Sequence, residues 1–173
     1  MTNLVLIGFM GVGKGTVARE LIKQTGKFGV DCDDLIESME NRKIKTIFKE
    51  NGEEYFRNLE KQTAKWLEKN VKNTIISTGG GFYKVDNLNK IGKVIYLQSS
   101  FDGILTRLKA QPNSEKKLAK RPLLNDIKKA TELFKQREPF YKQKADIIIN
   151  VKDKNIDTII KNILQEIEKW LEY

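Results

Sequence analysis

The sequence contains no histidine and a single cysteine, Cys32. The absence of histidine removes the commonest general base and a frequent metal ligand from any mechanism. One cysteine cannot form an internal disulfide, and it cannot build a thiolate metal site by itself. The apolar run from Leu4 to Val12 is too short to span a membrane. We therefore expect a soluble, cytoplasmic protein without a membrane segment.

Arginine is also scarce, because only six of the 32 basic residues are arginine. They are Arg19, Arg42, Arg57, Arg107, Arg121 and Arg137. A chain that otherwise uses lysine is expected to keep arginine where a planar, bidentate fork must hold a carboxylate or a phosphate. The net charge of +9 suits an anionic substrate. The C-terminal lysines alternate with acidic residues, which is typical of a solvated helix face, so we expect no nucleic-acid partner.

The chain has the length of one ordinary domain, and we expect a single unit over residues 1–173. Short apolar runs alternate with helical patterns throughout. The runs predicted as strands are Asn3–Gly8, Lys27–Asp31, Asn73–Thr78, Lys93–Gln98 and Ala145–Asn150. Helices are predicted over 13–25, 34–41, 53–69, 101–109 and 127–143, with an amphipathic helix at the C-terminus. This alternation predicts an α/β fold with a parallel sheet and helices on both faces, whose ligands bind beyond the carboxyl ends of the strands.

The stretch "GFMGVGKGTVA", residues 8–18, follows the first predicted strand and opens a helix. Its glycines let successive amides turn inward around phosphate oxygens, and Lys14 can reach the terminal phosphates of a nucleotide. The usual phosphate loop has Ser or Thr directly after the lysine, whereas Gly15 stands there and Thr16 follows. The hydroxyl that normally binds Mg²⁺ is therefore missing. We expect phosphates, water and a carboxylate, with Asp31 the nearest candidate, to hold the metal.

Two further motifs combine acidic and basic side chains. In "DCDD", residues 31–34, Asp31 and Asp33 are expected beside the phosphate loop, with Asp34 opening or capping the next helix. Asp31 would orient magnesium through water, and Asp33 would accept a proton or hydrogen bond from an acceptor hydroxyl. In "EEYFRNLEKQ", Arg57 and Glu60 stand at i and i+3, which fits either a site or an ordinary ion pair within a helix.

Two loops leave alternatives open. In "STGGGF", Gly79, Gly80 and Gly81 form either a tight turn or a backbone that a ligand approaches closely. The stretch "AQPNSEKKLAKRPLL" is either a mobile surface connection or a lid that brings Arg121 to a bound nucleotide.

The combined motifs resemble the shikimate kinase family along nearly the whole chain. The matching segments are "GFMGVGK", "DCD", "EEYFRNLE", "STGGG", "KRPLL" and "KQREPFY", in that family's order and spacing. The resemblance implies a P-loop fold like that of nucleoside monophosphate kinases, with strand order 2-3-1-4-5. It also implies a substrate-binding region at about 31–62 and a mobile lid at about 111–124.

The resemblance implies that the protein transfers the γ-phosphoryl group of ATP to the 3-hydroxyl of shikimate. The products would be ADP and shikimate 3-phosphate, on the chorismate route to aromatic amino acids. The enzyme would use Mg²⁺ as its cofactor, and we expect it to be a monomer. Lys14, Asp33 and Arg121 would be catalytic, and Asp31 would hold the metal through water. Shikimate would contact Asp33, Arg57, Gly79, Gly80, Gly81 and Arg137. ATP would contact Gly11, Val12, Gly13, Lys14, Gly15, Thr16, Arg107 and Arg121.

Other functions remain open at this point. "GKGT" is common in adenylate kinases, although no counterpart of their AMP-binding segments is recognisable. Gluconate kinase would also need to recognise hydroxyls and a carboxylate. A GTPase is disfavoured because the chain lacks the Asn-Lys-x-Asp pattern that reads guanine. A non-catalytic P-loop module would bind a nucleotide together with a protein or RNA, without turnover that depends on an acceptor.

Overall fold

The computed structural model describes residues 2–112 and 124–171. Five parallel strands form one sheet in the order β2-β3-β1-β4-β5. They are β1 (Leu4–Ile7), β2 (Phe28–Asp31), β3 (Thr74–Ser77), β4 (Lys93–Gln98) and β5 (Ile147–Asn150). In the central strand, Val5 is paired with Ile76 on one side and Val94 on the other. The α/β class and the strand order 2-3-1-4-5 are confirmed.

Helices cover the sheet between these strands. The α-helices are α1 (Lys14–Thr25), α2 (Cys32–Glu40), α3 (Ile44–Asn70), α4 (Leu88–Ile91), α5 (Phe101–Lys109), α6 (Ile127–Lys144) and α7 (Ile156–Leu171), with a 3₁₀ turn at Phe82–Lys84. The strands β1 and β3 are buried at every position, as expected of inner strands of a parallel sheet. Ile159, Ile160 and Ile163 bring the apolar face of α7 into the same core. No helix within the described ranges has the length and apolar composition needed to cross a membrane.

Two predicted helix boundaries are wrong. The helix α2 begins at Cys32, not Asp34, because the Asp31 carboxylate caps it by accepting from the Asp33 and Asp34 amides at 2.9 and 3.2 Å. The helix α3 begins at Ile44, well before the predicted start at Glu53. Gly52, with φ 81° and ψ 177°, interrupts α3 and divides it into two arms.

The first arm of α3 has its own small core. Its apolar residues pack against the second arm and against α2, apart from the main core under the sheet. The buried members are Ile36, Ile47, Phe56 and Leu59. This separate cluster holds α2 and α3 together beside the carboxyl end of β2.

The carboxyl ends of the parallel strands lie at one edge of the sheet. The chain leaves β1 into the phosphate loop, β2 into Asp31 and α2, and β3 into the three glycines. The fold thus brings three separately predicted motifs to one edge.

Candidate active site

The phosphate loop takes its shape from glycines that no other residue replaces without strain. Gly8, Gly11 and Gly13 have φ values of 147°, 82° and 107°. Lys14 is the first residue of α1 and is buried, with Nζ donating to the carbonyl oxygens of Gly8 and Phe9 at 2.7 and 3.1 Å. Gly13 offers no side-chain cap to α1. The helix therefore presents its first amides and its positive end to the loop, an arrangement that binds phosphate.

The position beside Gly15, where other phosphate loops carry a hydroxyl, has room for a small side chain. A Cβ atom built there would meet only the Arg19 guanidinium, at 3.4 Å from Nη1. The Thr16 hydroxyl lies on the exposed side of α1 and accepts from Arg19 Nη2 at 3.5 Å. Because one residue turns a helix by about 100°, Thr16 does not present its hydroxyl where residue 15 would.

Asp33 lies in the first turn of α2, next to the second glycine loop, which is formed by Gly79, Gly80 and Gly81 after β3. A Cβ atom built at Gly79 would lie 2.8 Å from its Oδ1. Burial, followed by the negative charges of Asp31 and Glu60, raises the pKa of Asp33 to about 7, although Lys14 opposes this shift. A carboxylate with a pKa near neutrality is suited to accept a proton at physiological pH.

The side chain of Arg57 is shared between two glutamates of α3. Its Nη1 donates to Glu60 Oε2 at 2.6 Å, and Nε and Nη2 both donate to Glu53 Oε1 at 3.1 Å. Glu60 is 2% exposed, and burial raises its pKa against the influence of Arg57. Glu53 is 60% exposed. The ion pair within the helix is confirmed. Arg57 also lies against Gly81, where a built Cβ atom would overlap Nη1, so its role in a site stays a prediction.

Arg137 is a buried cation of α6, only 6% exposed. Its Nη1 would lie 3.2 Å from a Cβ atom at Gly80. Within residues 2–112 and 124–171, Arg137 forms no salt bridge. Its charge acts to lower the pKa of Glu53 and of Glu60, but both carboxylates are bonded directly to Arg57. A buried arginine of this kind indicates a place for an anion from outside the chain.

Arg107 borders a separate cavity of about 380 Å³ on the other side of the phosphate loop. Its guanidinium lies against Gly13, where a Cβ atom would be 2.5 Å from Nη2. The opposite wall includes Lys152, Asp153 and Lys154, which follow β5 and were not among the predicted site residues. The rule that ligands bind at the carboxyl ends of parallel strands could have found them, because β5 ends there too.

Comparison with known proteins gives the family. The family model described as shikimate kinase matches residues 10–168. The shikimate kinase of Helicobacter hepaticus is 43% identical over 150 residues, covering 87% of each chain. That of Sulfurihydrogenibium sp. is 38% identical over 174 residues, covering 98% of this chain and 99% of the relative. The solved structure of shikimate kinase from Acinetobacter baumannii in complex with shikimate superposes with a TM-score of 0.85 at 31% identity, covering 98% of this chain and 94% of that one. This chain belongs to the shikimate kinase family.

Membership of the shikimate kinase family makes the chain an ATP-dependent kinase. The resemblance predicted from the motifs is confirmed, and the adenylate kinase suggested by "GKGT" alone is not supported. The structure brings together the phosphate loop, the three glycines, Asp33, Arg57 and Arg137. Arg121 and most of the predicted lid at 111–124 lie outside the described residues.

Proposed function

We propose that this shikimate kinase transfers the γ-phosphoryl group of ATP to the 3-hydroxyl of shikimate with the residues predicted from its motifs. The phosphate loop from Gly11 to Thr16 holds the phosphates, and Arg107 binds beside the adenine. Lys14 and Arg121 contact the transferring group. The product, shikimate 3-phosphate, enters aromatic amino acid biosynthesis.

The acceptor site is proposed at the second glycine loop. Arg57 and Arg137 bind the shikimate carboxylate, Asp33 binds the ring hydroxyls, and the amides of Gly79 to Gly81 face the substrate. The observation that carries this proposal is Arg137, a buried guanidinium without a salt-bridge partner in the described part of the chain. A substrate carboxylate would supply a direct ion-pair partner, and a guanidinium fork matches it with two parallel hydrogen bonds.

In the proposed reaction, Asp33 accepts the proton of the attacking hydroxyl. Lys14 neutralises charge on the phosphoryl oxygens, and the loop amides hold the ADP phosphates so that the leaving oxygen lies in line with the attacking oxygen. The bond from phosphorus to that leaving oxygen breaks, and ADP departs. Positioning and charge neutralisation supply most of the catalysis of phosphoryl transfer, so a chain without histidine is adequate.

The residues present are compatible with Mg²⁺ held mainly by phosphates and water. Both amides that Asp31 caps donate to Oδ1, so Oδ2 is the oxygen that would accept from a metal-bound water. The described residues contain no cluster of three or more acidic, cysteine or histidine ligands. The chemistry that a bound magnesium ion would supply is neutralisation of the negative charge on the phosphates. Gly15 contributes no ligand, so Asp31 is the proposed protein contact.

The remaining proposals concern the organisation of the enzyme. It is a single kinase domain with a substrate-binding region at about 31–62 and a lid at about 111–124. It works as a monomer in the cytoplasm with ATP and shikimate as its partners. The helices α2 and α3 pack together around their own small core, and this supports treating residues 31–62 as one substrate-binding region.

An acceptor panel tests the proposal. ADP release is measured with ATP, Mg²⁺ and, in separate reactions, shikimate, AMP or gluconate. We expect ADP release with shikimate as the acceptor, and none above background with AMP or gluconate. Turnover with AMP or gluconate but not shikimate would replace the proposed acceptor, and ATP binding without turnover on any acceptor would favour a non-catalytic nucleotide-binding module.

A further inference from the structure

Tyr141 connects the helix that carries Arg137 to the second glycine loop. It lies one turn after Arg137 on α6, so both side chains project from the same face. Its hydroxyl donates to the carbonyl oxygen of Gly80, 61 residues earlier in the chain. The Arg137 guanidinium lies at the same glycine, because its Nη1 would be 3.2 Å from a Cβ atom at Gly80. Burial raises the pKa of the Tyr141 hydroxyl, and the charge of Arg137 opposes this shift. The hydroxyl thus bonds to one group of the proposed acceptor site and lies near a second.

We propose that Tyr141 is a positioning residue, whose hydroxyl fixes both the Gly80–Gly81 peptide and the Arg137 guanidinium for the carboxylate-bearing acceptor. The inference rests on the proposed function, because it assigns Tyr141 to the same acceptor site. Tyr141 acts through its two neighbours and makes no contact with the acceptor.

The peptide geometry explains how a contact with a carbonyl controls a donor. In a trans peptide the C=O and the following N–H point in opposite directions. Holding the Gly80 oxygen toward α6 therefore turns the Gly81 N–H away from α6. Within the described residues, the amides of Gly80 and Gly81 donate to no protein acceptor, so both remain for a ligand.

The ring of Tyr141 is held firmly enough to serve this purpose. The residue is 1% exposed, and its ring stacks on Tyr96 with centroids 5.3 Å apart and meets Tyr83 edge to face at 5.1 Å. Glycines contribute no side chain that could hold their own loop. The turn bonds of the loop run from the Phe82 amide to the Gly79 oxygen and from the Lys84 amide to the Gly81 oxygen, both at 3.2 Å. Neither involves the Gly80 oxygen, which bonds to Tyr141.

Tyr141→Phe tests the inference because it removes the hydroxyl and keeps the ring. We expect KM for shikimate to rise about tenfold, with KM for ATP within about twofold of wild type. Tyr96→Phe is the matched control, because it removes a buried hydroxyl from the adjacent ring without touching Gly80, and it should leave both KM values unchanged. An unchanged KM for shikimate, or an equal rise in both KM values, would overturn the inference.

A double-mutant cycle adds a measurement that general loss of stability does not affect. Shikimate binding is titrated by calorimetry in wild type, Tyr141→Phe, Arg137→Ala and the double variant. We expect the effect of Tyr141→Phe to shrink below about threefold when Arg137 is absent. An undiminished effect would show that the hydroxyl does not act with Arg137. Failure of wild type to phosphorylate shikimate would instead overturn the proposed function.

Discussion

The two glycine-rich loops at the active edge of the sheet need glycine for different reasons. In the phosphate loop, the backbone at Gly8, Gly11 and Gly13 has positive φ values that disfavour any side chain, whatever surrounds it. In the loop after β3, no glycine has a positive φ value of this kind. There, added Cβ atoms would meet Asp33, Arg137 and Arg57 in turn.

The difference separates two ways of building a binding surface. The first loop bends so that its own amides surround a phosphate. The second loop stays small so that charged side chains from α2, α3 and α6 can approach its backbone. The first loop should therefore govern nucleotide binding, and the second should govern the acceptor. Each of the following substitutions tests that division, beginning with the largest expected effect.

Asp33→Asn should affect the chemical step most strongly. The amide cannot accept the proton of the acceptor hydroxyl, so we expect kcat to fall by roughly 100- to 10,000-fold. Nucleotide affinity, measured by titration with ADP, should stay near wild type because the phosphate loop is unchanged. Asp34→Asn, an exposed neighbour with the same change in charge, is the control. Near-normal turnover of Asp33→Asn would remove Asp33 from the reaction.

Arg137→Ala should weaken acceptor binding without affecting the nucleotide. Loss of hydrogen bonds from a charged group to the substrate carboxylate should raise KM for shikimate by roughly 10- to 100-fold. Arg42→Ala serves as control, since Arg42 pairs with Glu40 and Glu50 on the surface. If KM for ATP rises as much as KM for shikimate, Arg137 does not belong to the acceptor side alone.

The pH dependence should follow the ionisation of Asp33. With a pKa of about 7, the carboxylate is progressively protonated below neutrality and loses its capacity to accept a proton. At saturating ATP, kcat/KM for shikimate should therefore fall about tenfold per pH unit below pH 7 and level off above it. Asp34→Asn should move the midpoint slightly downward, because the Asp34 charge contributes to the raised pKa. The measurement spans roughly pH 5.5 to 8, on both sides of the Asp33 pKa of about 7. A value of kcat/KM that does not change over this range would contradict the role of Asp33 as base.

Gly81→Ala compares the two loops directly. The methyl group would overlap Arg57 Nη1 and displace that side chain, so KM for shikimate should rise about fivefold to tenfold. Gly13→Ala is the reciprocal variant, because it forces strain at φ 107° and should weaken ADP binding instead. Both variants are titrated with ADP and with shikimate. If each variant lost affinity for both ligands equally, the proposed division between the two loops would be wrong.

Local patterns made the phosphate loop and the strands predictable from sequence. Glycine spacing, an apolar run before the loop and a helical pattern after Lys14 all lie within about twenty residues. The first arm of α3 was missed although Ile44, Ile47 and Phe48 have helical spacing. Its partners Ile36 and Leu59 lie outside the arm, and the short arm gains most of its stability from packing against them.

Two contacts, one local and one between distant elements, could not be predicted from the residues alone. The cap at Asp31 depended on whether α2 starts directly after the strand, which "DCDD" leaves open. The bond between Tyr141 and Gly80 joins residues 61 positions apart, and no local pattern indicates it. The strand order came from the resemblance, and the structure confirms it. The roles of all the predicted catalytic, substrate-binding, nucleotide-binding and metal-binding residues stay predictions.

Gly15→Ser should have the smallest effect, because it adds a metal ligand to a site that already works without one. The open space at Gly15 accommodates the side chain if Arg19 moves slightly, and a serine hydroxyl there can bind Mg²⁺ directly. We expect the Mg²⁺ concentration for half-maximal turnover to fall several-fold with kcat little changed. Calorimetric titration of Mg²⁺ into the ADP complex should show the same gain. Gly15→Ala adds the bulk without the oxygen and should show neither effect. An equal response of both variants would mean that the space beside Arg19, and not the missing hydroxyl, controls the metal.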